Sequence, residues 1–125
     1  MKNRNFSIRQ RIKSFAYAFN GVKIFIQEEH NARIHLFVTI CVLAASFIFK
    51  ISLPEWIAVI FAIGFVITSE VINTALENIA DFVSPEKNEQ IKKVKDLAAA
   101  GVLICSITAL SIGLIIFIPK IIALC

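Results

Sequence analysis

An apolar run, Trp56 to Thr68, passes without any turn signal into the stretch 69–81, where Glu70, Asn73, Thr74, Glu77 and Asp81 appear. On a helix turning about 100° per residue, these five side chains fall within an arc of roughly 100°, while Val71, Ile72, Leu76 and Ile79 point elsewhere. The run leading into them has the character of a membrane span, so the polar face begins inside the bilayer. At about 1.5 Å per residue, Glu70 lies roughly 16 Å along the axis from Asp81; with Asp81 at the water boundary, Glu70 is well below it. An acid near mid-membrane costs at least ~2.5 kcal/mol and is by default a functional residue.

At 125 residues, with 58% hydrophobic content and a mean hydropathy of +0.78, the chain is too apolar for a soluble globular domain, whose apolar share is nearer ~45–50%. It reads as one integral membrane domain over 1–125, with spans expected at 33–53, 54–82 and 90–119. No cleavable signal peptide is expected, because a long basic amphipathic stretch precedes the first span rather than a short charged tip. Eleven of the thirteen Lys and Arg fall before the first span or between the second and third, with only Lys50 and Lys120 opposite. The positive-inside rule makes that acid-bearing side cytoplasmic. The net charge of +4 fits attraction to anionic lipid and an anionic substrate; nucleic acid is a poor partner for charge that flanks membrane spans. Cys41, Cys105 and Cys125 offer neither a disulfide framework nor metal-ligand spacing and read as small apolar residues.

Residues 6–28 carry Ile8, Ile12, Phe15, Phe19, Val22 and Ile26 at steps of four and three, with Arg9, Lys13, Asn20, Lys23 and Gln27 on other faces. This predicts an amphipathic helix lying in the interface plane, either as a basic anchor or as one wall of a cytoplasmic-face site. In the polar hinge that follows, Glu29 and Arg33 are spaced for an exposed helical ion pair, or Glu29 stands at the depth of Glu77 and shares a cation with it. His30 and His35 read as interfacial side chains rather than ligands. Lys50 to Trp56 reads as a tight external turn in which Pro54 breaks the helix. Ser84, Pro85 and Glu86 read as the cap and first turn of a new helix. That helix turns apolar at Leu97, so Lys95 and Asp96 stand at the water boundary beside Asp81, Lys95 as a snorkelling anchor or as a phosphate contact. Gly101, Cys105, Ala109 and Gly113 form a small-residue stripe, and Pro119 and Lys120 are expected to close the last span. Three short helices cannot enclose the polar site alone, which implies association of several copies.

No phosphate loop, protein-kinase signature or nucleophile elbow is present. The hard-oxygen cluster with a nearby lysine suits Mg²⁺ bridging carboxylates to nucleotide phosphates, and phosphoryl transfer needs little beyond that. Glu77 and Asp81 would meet a water-soluble nucleotide, while the deeper Glu70 could accept a proton from a lipid hydroxyl. The rival reading is a small oligomeric cation or proton transporter using the acids as a relay. It predicts polar groups on both sides of the midplane, whereas the outer half offers only Thr39, Ser46, Thr108 and Ser111.

The pattern Glu70-x-x-Asn73-x-x-x-Glu77-x-x-x-Asp81, followed by Lys95-Asp96 and Ala98-Ala99-Ala100-Gly101, resembles the prokaryotic diacylglycerol kinase family, which includes the undecaprenol kinases. The resemblance covers nearly the whole chain. It implies an all-α membrane lipid kinase of the bacterial cell membrane, a homotrimer of three-span subunits with an N-terminal surface helix and active sites shared between neighbours. ATP and a membrane lipid alcohol, diacylglycerol or undecaprenol, are the implied substrates and Mg²⁺ the implied cofactor. By the same resemblance Glu70 is the general base, Glu29 and Glu77 hold Mg²⁺, and Asn73 orients groups around the transferred phosphoryl. Lys95 contacts phosphates, while Asp96, Asp81 and Glu86 help place the nucleotide and Tyr17 approaches it from the surface helix. Gln10 aligns with the family's substrate-side arginine, and Phe19 stands where the enterobacterial type has tryptophan.

Overall fold

A computed structural model describes residues 7–125. The described residues form four helices: α1 (Ile8–Glu28), α2 (His30–Ile48), α3 (Leu53–Val83) and α4 (Glu89–Leu124). The last three are each long and apolar enough to cross a membrane. With 31 residues in α3 and 36 in α4, these helices run to about 46 and 54 Å and overreach a hydrocarbon core of about 30 Å. α3 sits between its neighbours, packing most extensively on α4 and also against α2 and α1.

The α3–α4 pair keeps one antiparallel register along its length. Lys120 Nζ meets Glu55 Oε2 at 2.9 Å at one end, Val59 and Ile116 share a buried cluster with Ile51, and Lys95 Nζ meets Asp81 Oδ1 at 2.5 Å at the other. Glu55 and Asp81 are separated by about 39 Å of helix, so the two ion pairs bracket a hydrocarbon core with room for its interfaces. Between them the surface is apolar and uncovered. The chain exposes 9988 Å², against about 6,700 Å² expected of a soluble monomer of its mass, and between the two ion pairs large aliphatic and aromatic side chains provide most of the exposed positions on α3 and α4. This is the surface of a protein solvated by lipid or by further copies of itself.

α1 starts at Ile8, two residues later than expected, where the Ser7 hydroxyl accepts from the Gln10 N–H at 3.4 Å; residue 6 lies outside the described residues. Its stripe of Ile8, Ile12, Phe15, Phe19 and Val22 is exposed, as an apolar face laid on a membrane would be. At Glu29 the backbone turns extended, and α2 begins at His30, ahead of the expected 33. Arg33 does not pair with Glu29. Its guanidinium instead donates to the Ile26 and Gln27 carbonyls, satisfying the last turn of α1.

α2 stops at Ile48, short of the expected 53. Lys50 takes a left-handed φ of 52°, with its N–H bonded to the Phe47 carbonyl and the Ile51 N–H to the Ser46 carbonyl. This is the six-residue stop normally built on glycine, and the following apolar residue, Ile51, is buried as such stops favour. Pro54 ends nothing: it occupies the first turn of α3, where its missing N–H is harmless, behind a reciprocal cap between Ser52 and Glu55. The expected helix start at Ser84 is also corrected. Ser84 closes α3 and donates its hydroxyl to the Glu86 carbonyl, while Asn88 caps α4 by accepting from the Gln90 N–H. Pro119 does not close the last span either. α4 runs through it to Leu124, since one lost backbone bond is tolerated where apolar residues continue on both sides.

Candidate active site

α3 carries the expected residues in one line. Glu70 is buried, with its side chain 8% exposed, and its Oε1 lies 2.9 Å from His35 Nε2 of α2. A turn closer to the water boundary, Asn73 Nδ2 donates to Glu77 Oε1 at 3.2 Å, while Asn73 Oδ1 is shielded and has no partner among the described residues. The Thr74 hydroxyl is occupied with the Glu70 carbonyl at 2.9 Å and is not available to the carboxylates. At the end of the line Asp81 pairs with Lys95 across the α3–α4 interface.

Beyond that pair, the 84–88 connection and the first turns of α4 surround a depression of about 480 Å³, lined among others by Asp81, Glu86, Lys87, Lys92, Lys95 and Asp96. Its volume lies in the range of roughly 300–1,000 Å³ found for small-molecule clefts. Lys92 Nζ contacts Asp96 Oδ2 at 2.6 Å on its rim. Both signs of charge converge here, on the side where basic residues predominate.

One copy therefore brings together Glu70, Asn73 and Glu77 on α3, and separately Asp81, Glu86, Lys95 and Asp96 around the depression. Glu29 is half-buried at the α1–α2 junction, and no hydrogen bond or ion pair joins it to Glu77 among the described residues. Tyr17 is 71% exposed on α1. Gln10 contributes its backbone to the α1 cap.

The residue that sequence reasoning passed over is His35, set aside above as interfacial. The signal was available in the register: with Glu29 placed at the depth of Glu77 on antiparallel helices, the step of six from Glu29 to His35 descends to Glu70.

A sequence model of the family described as prokaryotic diacylglycerol kinase matches residues 16–117. The chain is 30% identical over 119 residues to the undecaprenol kinase of Bacillus subtilis (strain 168), covering 95% of this chain and 97% of that one. It is 30% identical over 112 residues to a diacylglycerol kinase of Synechocystis (89% of this chain, 64% of that one), and 31% identical over 97 residues to a diacylglycerol kinase of Helicobacter pylori (77% and 75%). With a family match over most of its length and a one-sided line of carboxylates on a membrane helix, the chain belongs to the prokaryotic diacylglycerol kinase family and is an enzyme of the lipid-kinase class.

Proposed function

We propose that the protein transfers the γ-phosphoryl group of MgATP to the hydroxyl of a membrane lipid alcohol, diacylglycerol or undecaprenol, at the cytoplasmic end of α3 in the bacterial cell membrane. The observation that carries this reading is the buried Glu70 carboxylate, continuous along one helix face with Glu77 and with the Asp81–Lys95 pair at the water boundary. A lipid hydroxyl reaches Glu70 from the bilayer, and a nucleotide reaches the outer part of the line from water.

Glu70 accepts the proton of the lipid hydroxyl as the lipid oxygen attacks the γ-phosphorus and the bond to ADP breaks. Asn73 holds Glu77 with its amide N–H and turns its unpartnered carbonyl oxygen to the reacting groups. Lys95 sets a positive charge against the phosphates; Asp81, Asp96 and Glu86 position the nucleotide around the depression, and Tyr17 contacts it from the surface helix. Among the described residues no three His, Cys, Asp or Glu gather into a metal cage. Two carboxylates fit Mg²⁺ nonetheless, because this ion takes one or two protein oxygens and fills its remaining positions from phosphate and water. Glu29 and Glu77 would hold it, and when bound it neutralises charge on the transferred phosphoryl.

Assembly as a homotrimer completes the site. It is supported by the wide apolar surface that one copy leaves uncovered. The end-to-end match to the Bacillus subtilis relative favours undecaprenol as the acceptor.

The test is the purified protein in mixed micelles with γ-labelled ATP and each lipid offered separately. The expected result is labelled lipid phosphate and stoichiometric ADP, faster with undecaprenol. Ion flux in proteoliposomes, with no label entering either lipid, would overturn the kinase reading in favour of the transporter.

A further inference from the structure

We infer that His35 is a positioning residue for Glu70: its Nε2–H holds Glu70 Oε1 and thereby presents Oε2 to the acceptor hydroxyl. This deepens the proposal above and rests on Glu70 being the base. A carboxylate that is to take a proton must be ionised and so can only accept hydrogen bonds; at 2.9 Å the proton therefore sits on Nε2. Neither nearby hydroxyl competes for the carboxylate. The Thr39 hydroxyl donates to the His35 carbonyl at 2.7 Å and the Thr74 hydroxyl to the Glu70 carbonyl at 2.9 Å, each within its own helix. Glu70 Oε2 has no hydrogen-bond partner among the described residues. An otherwise free carboxylate on a helix has two equivalent oxygens and a rotating terminal torsion; one donor from the neighbouring helix makes them different.

His35 is well placed to do only this. Its side chain is 25% exposed and borders a small apolar cavity between α2, α3 and α4 lined by Val38, Val59 and Val66 among others. The one other polar side chain in those walls, Thr39, spends its hydroxyl proton on the His35 carbonyl. In the step itself the lipid O–H proton passes to Oε2, the lipid oxygen bonds the γ-phosphorus, ADP leaves, and His35 keeps its proton throughout.

The experiment is a double-mutant cycle on the full-length protein in mixed micelles, using whichever of the two lipids is phosphorylated faster. His35→Leu, which suits the apolar walls, is expected to lower kcat roughly 10- to 100-fold, the range for a lost hydrogen bond to a charged group, with the KM for ATP within about twofold of wild type. His35→Gln, whose amide can donate from nearly the same place, is expected to retain kcat within about threefold. Added to Glu70→Gln, His35→Leu is expected to change the residual rate less than about twofold, because the two residues act as one unit. A His35→Leu enzyme with undiminished kcat would overturn the inference. So would a loss as large in the Glu70→Gln background as in wild type, which would mark His35 as structural while leaving Glu70 as the base. Near-wild-type kcat for Glu70→Gln alone would remove the base and its positioning residue together.

Discussion

Glu77 presents its carboxylate with one oxygen already fixed by the Asn73 amide, so a second role must come through the other. If that role is to hold Mg²⁺, Glu77→Gln abolishes turnover while assembly and thermal stability are kept, and excess Mg²⁺ does not restore the rate. Substantial activity at saturating Mg²⁺ would contradict it. Lys95 and Asp81 are 40% and 62% exposed, and pairs this open contribute under about 1 kcal/mol to folding. Lys95→Met is therefore expected to leave the melting temperature nearly unchanged while raising the KM for ATP about tenfold; the reverse pattern would make Lys95 an anchor. The α3 residues were readable because a 3.6-residue period fixes which side chains share a face. His35 was not, because pairing across two helices depends on register, and a single histidine at a span boundary has an adequate account as an interfacial side chain. Arg33 shows the same difficulty from the other side: its spacing from Glu29 suggests a pair, but the unmet carbonyls ending α1 compete for the guanidinium and win.

The hairpin joining α2 to α3 turns on Lys50, a side-chain-bearing residue in the left-handed region. Glycine avoids the steric penalty there, so Lys50→Gly is expected to stabilise the protein by about 0.5–1 kcal/mol, read as a higher melting temperature in detergent with unchanged kcat. A lower melting temperature would mean that the lysine side chain makes compensating contacts. The existence of each helix was plain from runs of apolar residues, but the ends were not. Ser84-Pro85-Glu86 carries every mark of a helix start, yet the structure uses Asn88, because the Ser84 hydroxyl is engaged with the Glu86 carbonyl and α3 runs on to meet it. Pro119 looks like a terminator in water; α4 continues through it because apolar residues extend the helix beyond it.

The molecule as a unit has a polar end and an apolar shaft, and the Asp81–Lys95 and Glu55–Lys120 pairs stand at the two ends of that shaft. Three crossings would put the α1 and 84–88 side in one compartment and Cys125 in the other. Cys125, just past α4, is exposed, which makes it an orientation marker, and a membrane-impermeant maleimide applied to intact cells is expected to label it from outside. The proposed association of copies was readable only in outline, as a small-residue stripe and a surplus of apolar residues, because a sequence pattern does not say which copy fills a groove. Sealed proteoliposomes containing the lipid acceptor and given ATP on the exterior alone join these points. The reading put forward above requires nucleotide to enter from the side opposite Cys125. The fraction of enzyme that phosphorylates lipid should therefore equal the fraction whose Cys125 is protected from exterior maleimide; turnover tracking the labelled fraction instead would contradict it.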